Sequence, residues 1–422
     1  CNRVGRYTYR VGWMGAWGDP ARRPNKRIPE LTPTGIGIKR YLWGTEESEM
    51  SRNGTQRLVQ SASVALLAIL LAVSTPVAHA GGGYEPVVIE LLNLMESRPD
   101  LHESVEAAIE IADLQGIGNM GEFVAYVDDL VTLVPTEREV VPECLKFYYI
   151  INQAPGDTLN KDEQFNAWMK NVVQAWGAFL DTPASAAGIV TFREATNYNM
   201  DDYIEGPSGW QTFNQFFARE VKPGRRPIAE PRNDKVVVSP ADAVFMGQWP
   251  IDDNSNITVK GVNWEIAELL DGSPYKDAFE GGIYTHSFLY IDDYHRYHVP
   301  VAGTVREVRN ISGKVYMDVF REDDGTLNVV DGDTYQFNQE RGLIVIDSPE
   351  VGLVAVLPIG MAYVSSVNLT TEVGAELQKG DQFGYFMFGG SDIVTVFQDK
   401  NVALDADVGK KYLQGQRLGA LE

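Results

Sequence analysis

Through residues 84–200 apolar side chains recur at three- and four-residue spacing, and from about residue 236 they gather instead in short β-branched runs. Helical period followed by strand texture predicts an α+β fold, a helical N-terminal domain and then a mainly antiparallel β domain. The spacing places helices over 87–95, 101–114, 123–134 and 165–180, the last closed by Thr182-Pro183, since proline disfavours helix at the residue before it. Strands are expected over 236–238, 283–291, 299–305, 343–346, 353–359 and 393–397, with Gly, Asp and Asn turns between them. The stretch 399–422 is too mixed to assign.

Gly116, Gly118 and Gly121 match the spacing of a dinucleotide-binding glycine loop. That loop works only between a strand and a helix, where it brings a pyrophosphate to the helix N-terminus. Here a helical pattern precedes it, so it reads as a loop ending a helix.

The 422 residues carry 58 acidic and 36 basic side chains, a net charge of −22, which argues against a nucleic-acid partner and against casual docking on an anionic membrane. With only Cys1 and Cys144 there is no disulfide scaffold and no Cys-rich zinc site. Residues 1–49 are basic and aperiodic, and are expected to be upstream sequence foreign to the native protein. Met50 then opens a three-part leader: Arg52 and Arg57, an apolar run over 64–73, and small residues at Ala78 and Ala80 before Gly81. This is the layout of a signal peptide over 50–80, and the run is short of the ~20 residues that span a bilayer. The mature chain is thus expected to start near Gly81 and to be periplasmic or secreted.

Three segments carry chemistry-bearing residues. The first is Phe216-Phe217-Ala218-Arg219-Glu220-Val221-Lys222-Pro223-Gly224-Arg225-Arg226-Pro227, followed by Ser239-Pro240-Ala241-Asp242-Ala243. The second is Asp293-Tyr294-His295-Arg296-Tyr297-His298. The third is Lys379-Gly380-Asp381, followed by Gly389-Gly390-Ser391. Taken singly, each has a plain structural reading. His286, His295 and His298 with a carboxylate would make a metal set, though strand-like spacing does not bring them together. Ser391, His298 and Asp242 would make a hydrolase triad, but the serine lacks a G-x-S-x-G elbow.

Together and in this order, the three segments resemble the phosphatidylserine decarboxylase family of self-processing, pyruvoyl-dependent enzymes. The likeness runs from about residue 210 to the end and implies a catalytic domain over 205–422 preceded by the helical domain over 84–200. The stretch 175–186 is similar to the longer branch of the family, which includes soluble fungal tryptophan decarboxylases. The resemblance implies self-cleavage between Gly390 and Ser391, into large and small chains that stay together. A serine hydroxyl can attack the preceding carbonyl once a base takes its proton, and glycine permits the backbone bend this needs.

By the same resemblance Ser391 becomes a pyruvoyl cofactor, which forms a Schiff base with the substrate amine, without pyridoxal phosphate or metal. His298, held by Asp242, would be the base for the cut, and His295 the proton donor in decarboxylation. The implied substrate is phosphatidylserine, with contact to a membrane, or a free and aromatic amino acid. Three positions depart from the family pattern. Asp392 stands where Thr or Ser is usual, Ala243 replaces a glycine, and Gln339 an asparagine. Asp392 could slow the elimination or engage His298, which leaves an unprocessed binding protein as one competing reading; an uncut hydrolase using Ser391, His298 and Asp242 is the other.

Overall fold

Prolines open the first two helices of the computed structural model, which describes residues 83–259, 262–329, 337–362, 367–388 and 391–422. The leader over 50–80, the segment 1–49 and Gly390 lie outside the described residues. Helix α1 (Pro86–Ser97) and α2 (Pro99–Ala112) each have proline in the first turn, where its missing N–H costs no hydrogen bond. Helix α3 (Met120–Leu130) is capped by Asn119, whose side chain accepts from the Glu122 N–H. The glycine-rich stretch 116–121 is therefore the α2–α3 loop and the first turn of α3, with no strand ahead of it.

Helix α4 (Val140–Asn152) was not marked out individually by the spacing; its Phe147-Tyr148-Tyr149-Ile150-Ile151 run is buried nearly all round. Helix α5 (Glu163–Leu180) starts at Asp162, which accepts from the Gln164 and Phe165 N–H groups. Arg98, at the α1–α2 junction, donates to Asp162 and ties the helix starts together.

The β part is built on one eight-stranded antiparallel sheet. In chain order its strands are β1 (Ala243–Pro250), β2 (Ile283–Leu289), β3 (Gly303–Ile311), β4 (Arg341–Ser348), β5 (Gly352–Gly360), β6 (Glu376–Leu377), β7 (Ser391–Phe397) and β8 (Lys411–Tyr412). Across the sheet they run β6-β3-β4-β5-β7-β2-β1-β8. The strand expected over 299–305 begins only at Gly303, because residues 299–302 form the bend out of the Arg296–His298 strand. The unassigned C-terminal stretch supplies β8 and two further strands, Val402–Leu404 and Arg417–Leu421.

Strand alternation divides the sheet into two layers. On one face Ile344, Ile346, Val354, Val356, Ile393 and Phe397 join the core that also holds the helices. On the other, Val345, Leu357, Ile359, Val394 and Val396 pack with Ile251, Ile257, Leu269 and Phe279 from the excursion between β1 and β2. The helical part is tied to the β part by Lys170 donating to Ser312 (2.8 Å), the Val319 N–H to Asn152 Oδ1 (2.9 Å) and Lys314 to the Asn160 carbonyl (3.1 Å). No helix among the described residues is long and apolar enough to cross a membrane.

Phe388 packs the helical part against the segment Phe213–Phe217. Its ring lies 5.1 Å from Trp176 of α5 and 5.2 Å from both Phe213 and Phe217. Truncating a buried aromatic loses transfer energy and leaves a cavity, so Phe388→Ala is expected to cost about 3–5 kcal/mol in urea unfolding. A loss below ~1 kcal/mol would contradict this linking role.

Candidate active site

Ser391 is the first residue of β7, fully buried, and its hydroxyl has no hydrogen-bond partner among the described residues. β7 is paired along its whole length, Ser391 opposite Gly360 of β5 and opposite Leu289 of β2. Its alternation turns Ser391 to the helix-bearing face, with Ile393 and Phe397. Two routes bring the histidine segment to this place. Leu289, beside Ser391, leads directly into residues 290–295, and the Phe386 N–H donates to the His295 carbonyl (2.9 Å). The strand Gln382–Phe386, which runs toward residue 391, pairs with Arg296–His298.

His295 is wholly buried, with the Phe217 ring 3.9 Å away, centroid to centroid. Phe217 belongs to a short helix, Phe213–Phe217, capped by Thr212. The His295 Nδ1 lies 3.0 Å from the Asp293 carbonyl, which can only accept. Nδ1 therefore carries the proton and Nε2 the lone pair. That Nε2 is buried and without a hydrogen-bond partner among the described residues. Burial, with the charge of Arg219 in second place, pushes the imidazolium well below the usual histidine range, so the ring is a neutral base at ordinary pH.

Arg219 fixes this arrangement. Its guanidinium, nearly inaccessible, donates to the carbonyls of Asp292 (2.9 Å) and Asp293 (3.0 Å) and sits 4.1 Å from the centre of the Tyr203 ring. The Asp293 carbonyl thus accepts from both Arg219 and His295. The Asp293 carboxylate pairs with Lys411 of β8, yet burial outweighs that cation and raises its pKa to about 7.

His298 lies at the other end of the histidine strand, opposite Gln382. Its Nδ1 donates to the Gly380 carbonyl (2.8 Å) and its Nε2 accepts from the Tyr294 hydroxyl (3.1 Å). Gly380 has φ 89°, a conformation that suits glycine, and so turns its carbonyl to the ring. The expected hydrogen bond from the His298 ring to Asp242 is not what forms. Arg226 takes the Asp242 carboxylate through Nε (2.8 and 3.0 Å) and Nη2 (2.6 Å), and the Gln414 N–H donates to it at 2.8 Å. A guanidinium matches a carboxylate two bonds at a time, which an imidazole cannot do. Ser391, His298 and Asp242 consequently do not form the hydrogen-bonded triad of an uncut hydrolase.

His286, His295 and His298 do not make a metal set either: His286 contacts Asp392 (3.1 Å). Among the described residues no three His, Cys, Asp or Glu side chains gather to hold a metal. The pairing with His286 also answers the expectation that Asp392 engages His298.

A family model described as phosphatidylserine decarboxylase matches residues 213–420, and a second with the same description matches 85–195. The phosphatidylserine decarboxylase proenzyme of Clostridium perfringens is 30% identical over 233 residues, covering 55% of this chain and 76% of that one. The chain belongs to the phosphatidylserine decarboxylase family. Phosphatidylserine decarboxylase proenzyme 2 of Oryza sativa subsp. japonica is 33% identical over 246 residues, which are 57% of this chain and 38% of the rice protein. Decarboxylase iboD of Amanita muscaria is 27% identical over 316 residues, 65% of this chain and 89% of the fungal one. The chain spans well under half of the first curated relatives, 38%, 24% and 23% of their lengths.

The family match takes in Asp242, His295, His298 and Ser391. Sequence reasoning quoted Arg219, Arg226 and Tyr294 without giving them a task, and it passed over Lys411 and Gln414. Two arginines in an acidic chain, within an aromatic segment, were the available signal for the first two. Nothing in the spacing pointed to the last two.

Burial lowers the His298 pKa to about 4. An unfolded histidine titrates near ~6.5, so between those values the unfolded chain binds more protons and stability falls as the pH falls. Between pH 7 and pH 4.5 the protein is expected to lose about 2 kcal/mol more than its His298→Gln variant in urea unfolding. Equal losses would contradict the buried neutral ring.

Proposed function

We propose that this chain is a proenzyme that cuts itself between Gly390 and Ser391 and then removes CO2 from the α-carboxylate of an amino-acid group. The observation that carries the reading is a pair of buried, unpartnered polar atoms on segments that meet: the Ser391 hydroxyl and the lone pair of His295 Nε2. Leaving two such groups unmatched costs stability, as is tolerated where chemistry uses them. The hydroxyl attacks the Gly390 carbonyl and its proton passes to His295 Nε2. The backbone bond becomes an ester, elimination releases Gly390 with a free carboxylate, and hydrolysis releases ammonia and leaves residue 391 as a pyruvoyl cap.

That cap supplies a carbonyl that takes up the electrons released as CO2 leaves. A small ketone in place of the serine suits a site walled by Phe217, Phe386 and Phe388, which exclude water. His295, held in one tautomer by the Asp293 carbonyl, is the group placed to return a proton. His298, between Gly380 and Tyr294, acts as a positioning residue that holds the strand Arg296–His298 to the 379–381 turn. The small chain stays with the large one because β7 is bonded on both sides.

For the substrate we propose phosphatidylserine, the compound in the family description and in the names of the rice and Clostridium relatives. A free amino acid is the second reading. It is supported by the match to most of the fungal protein named simply a decarboxylase, and by the net charge of −22, which disfavours anionic lipid. The leader pattern over 50–80 supports an exported mature protein, periplasmic or secreted.

His295→Gln is expected to slow cutting by about a hundredfold or more, as for loss of a general base. His298→Gln should slow it much less, and Ser391→Ala should stay one chain. Time courses on denaturing gels read all three; a cut Ser391→Ala chain, or a His298→Gln defect larger than that of His295→Gln, would contradict the assignment. CO2 release from phosphatidylserine vesicles and from free tryptophan then separates the two substrates.

A further inference from the structure

Asp392 is the residue immediately past the proposed cut, and its side chain has no exposed surface. Strand alternation turns it away from the Ser391 hydroxyl, onto the sheet face that bears Tyr284, Leu357, Ile359, Val394 and Val396. There its Oδ1 lies 3.1 Å from Nε2 of His286, whose side chain is 4% exposed. The two are diagonal neighbours across β7 and β2: Asp392 faces Phe288 in register, and His286 faces Val394. Diagonal cross-strand pairs lie within reach of long side chains.

We infer that His286 and Asp392 form a register lock that holds the new chain end at residue 391 in place after self-cleavage; this rests on the cutting reading above. A one-residue slip of β7 would turn Asp392 to the opposite face and leave His286 among apolar side chains. Separating a buried pair strands each member away from water, which is strongly destabilising. Before the cut, residue 391 is tethered on both sides. Afterwards it is a strand terminus, and chain ends fray unless tied down. The pair ties down the position next to the reacting carbonyl, from the face that takes no part in chemistry. Asp392 and His286 are thus positioning residues.

The test uses the full chain after cutting, with Asp392→Ala, Asp392→Asn and the double variant His286→Leu with Asp392→Val. The apolar double variant removes both members of the pair together, so neither is left buried without the other. All variants should still be cut. In the double variant and in Asp392→Ala, kcat on whichever of phosphatidylserine vesicles or free tryptophan is turned over should fall about tenfold or more, with KM within about twofold. Amide exchange across 392–394 should quicken in the same variants. Asp392→Asn, which keeps a polar oxygen beside His286, should keep kcat within about threefold.

A cut double variant with unchanged kcat and exchange would overturn the lock while leaving the cutting reading intact. If the double variant does not fold, equal kcat for Asp392→Ala and Asp392→Asn would overturn it. An uncut wild-type chain would sink the cutting reading, and the lock with it.

Discussion

The strand that begins at Ser391 is an interior strand of the main sheet, hydrogen-bonded to Gly352–Gly360 on one side and Ile283–Leu289 on the other. This fixes most of what the site can be. A period of two sends consecutive side chains to opposite faces, so Ser391, the serine proposed to react, and the aspartate that follows it are separated by the sheet itself. One face carries aromatic rings and a bare imidazole nitrogen; the other carries the His286–Asp392 contact. Interior position also means that a break ahead of residue 391 removes one covalent bond and none of the ladder beyond it. Downstream residues go on supplying Lys411 to Asp293 and the Gln414 N–H to Asp242.

The two histidines of the Asp293–His298 segment differ in what their Nε2 atoms meet. Both rings donate from Nδ1 to a backbone carbonyl, so both present Nε2 as an acceptor. At His298 the Tyr294 hydroxyl fills it, and at His295 nothing among the described residues does. Arg219 reinforces the difference by binding the same Asp293 carbonyl as His295, and burial, with the Arg219 charge second, keeps that ring neutral. Asp242, which sequence likeness assigned to His298, is instead the anchor of Arg226. The aspartate therefore stitches the 222–228 segment and the C-terminal stretch to the sheet.

Hydrophobic period read the helices and central strands well, because each has one face or both faces buried: α1, α2 and α5 and strands β4, β5 and β7 sit where the spacing put them. It did not separate out α4, whose apolar residues continue around the helix and show no clear stripe. It overran into 299–302, where apolar residues are buried in a bend. The C-terminal strands were illegible since they are two to five residues long. At the site, it was the family resemblance of the three segments that made Ser391, His295, His298 and Asp242 legible as candidates. The partners of each were not, because hydrogen bonds such as His298 to the Gly380 carbonyl or Lys411 to Asp293 join positions far apart in sequence.

The intact mass of the purified native protein bears most directly on the claim that the chain makes its own electrophile. The account predicts a 32-residue C-terminal piece, residues 391–422, of about 3.5 kDa by the usual mass per residue. Its amino end should be closed to Edman chemistry and open to hydrazine. A single species with the bond between residues 390 and 391 unbroken, in active protein, would contradict it.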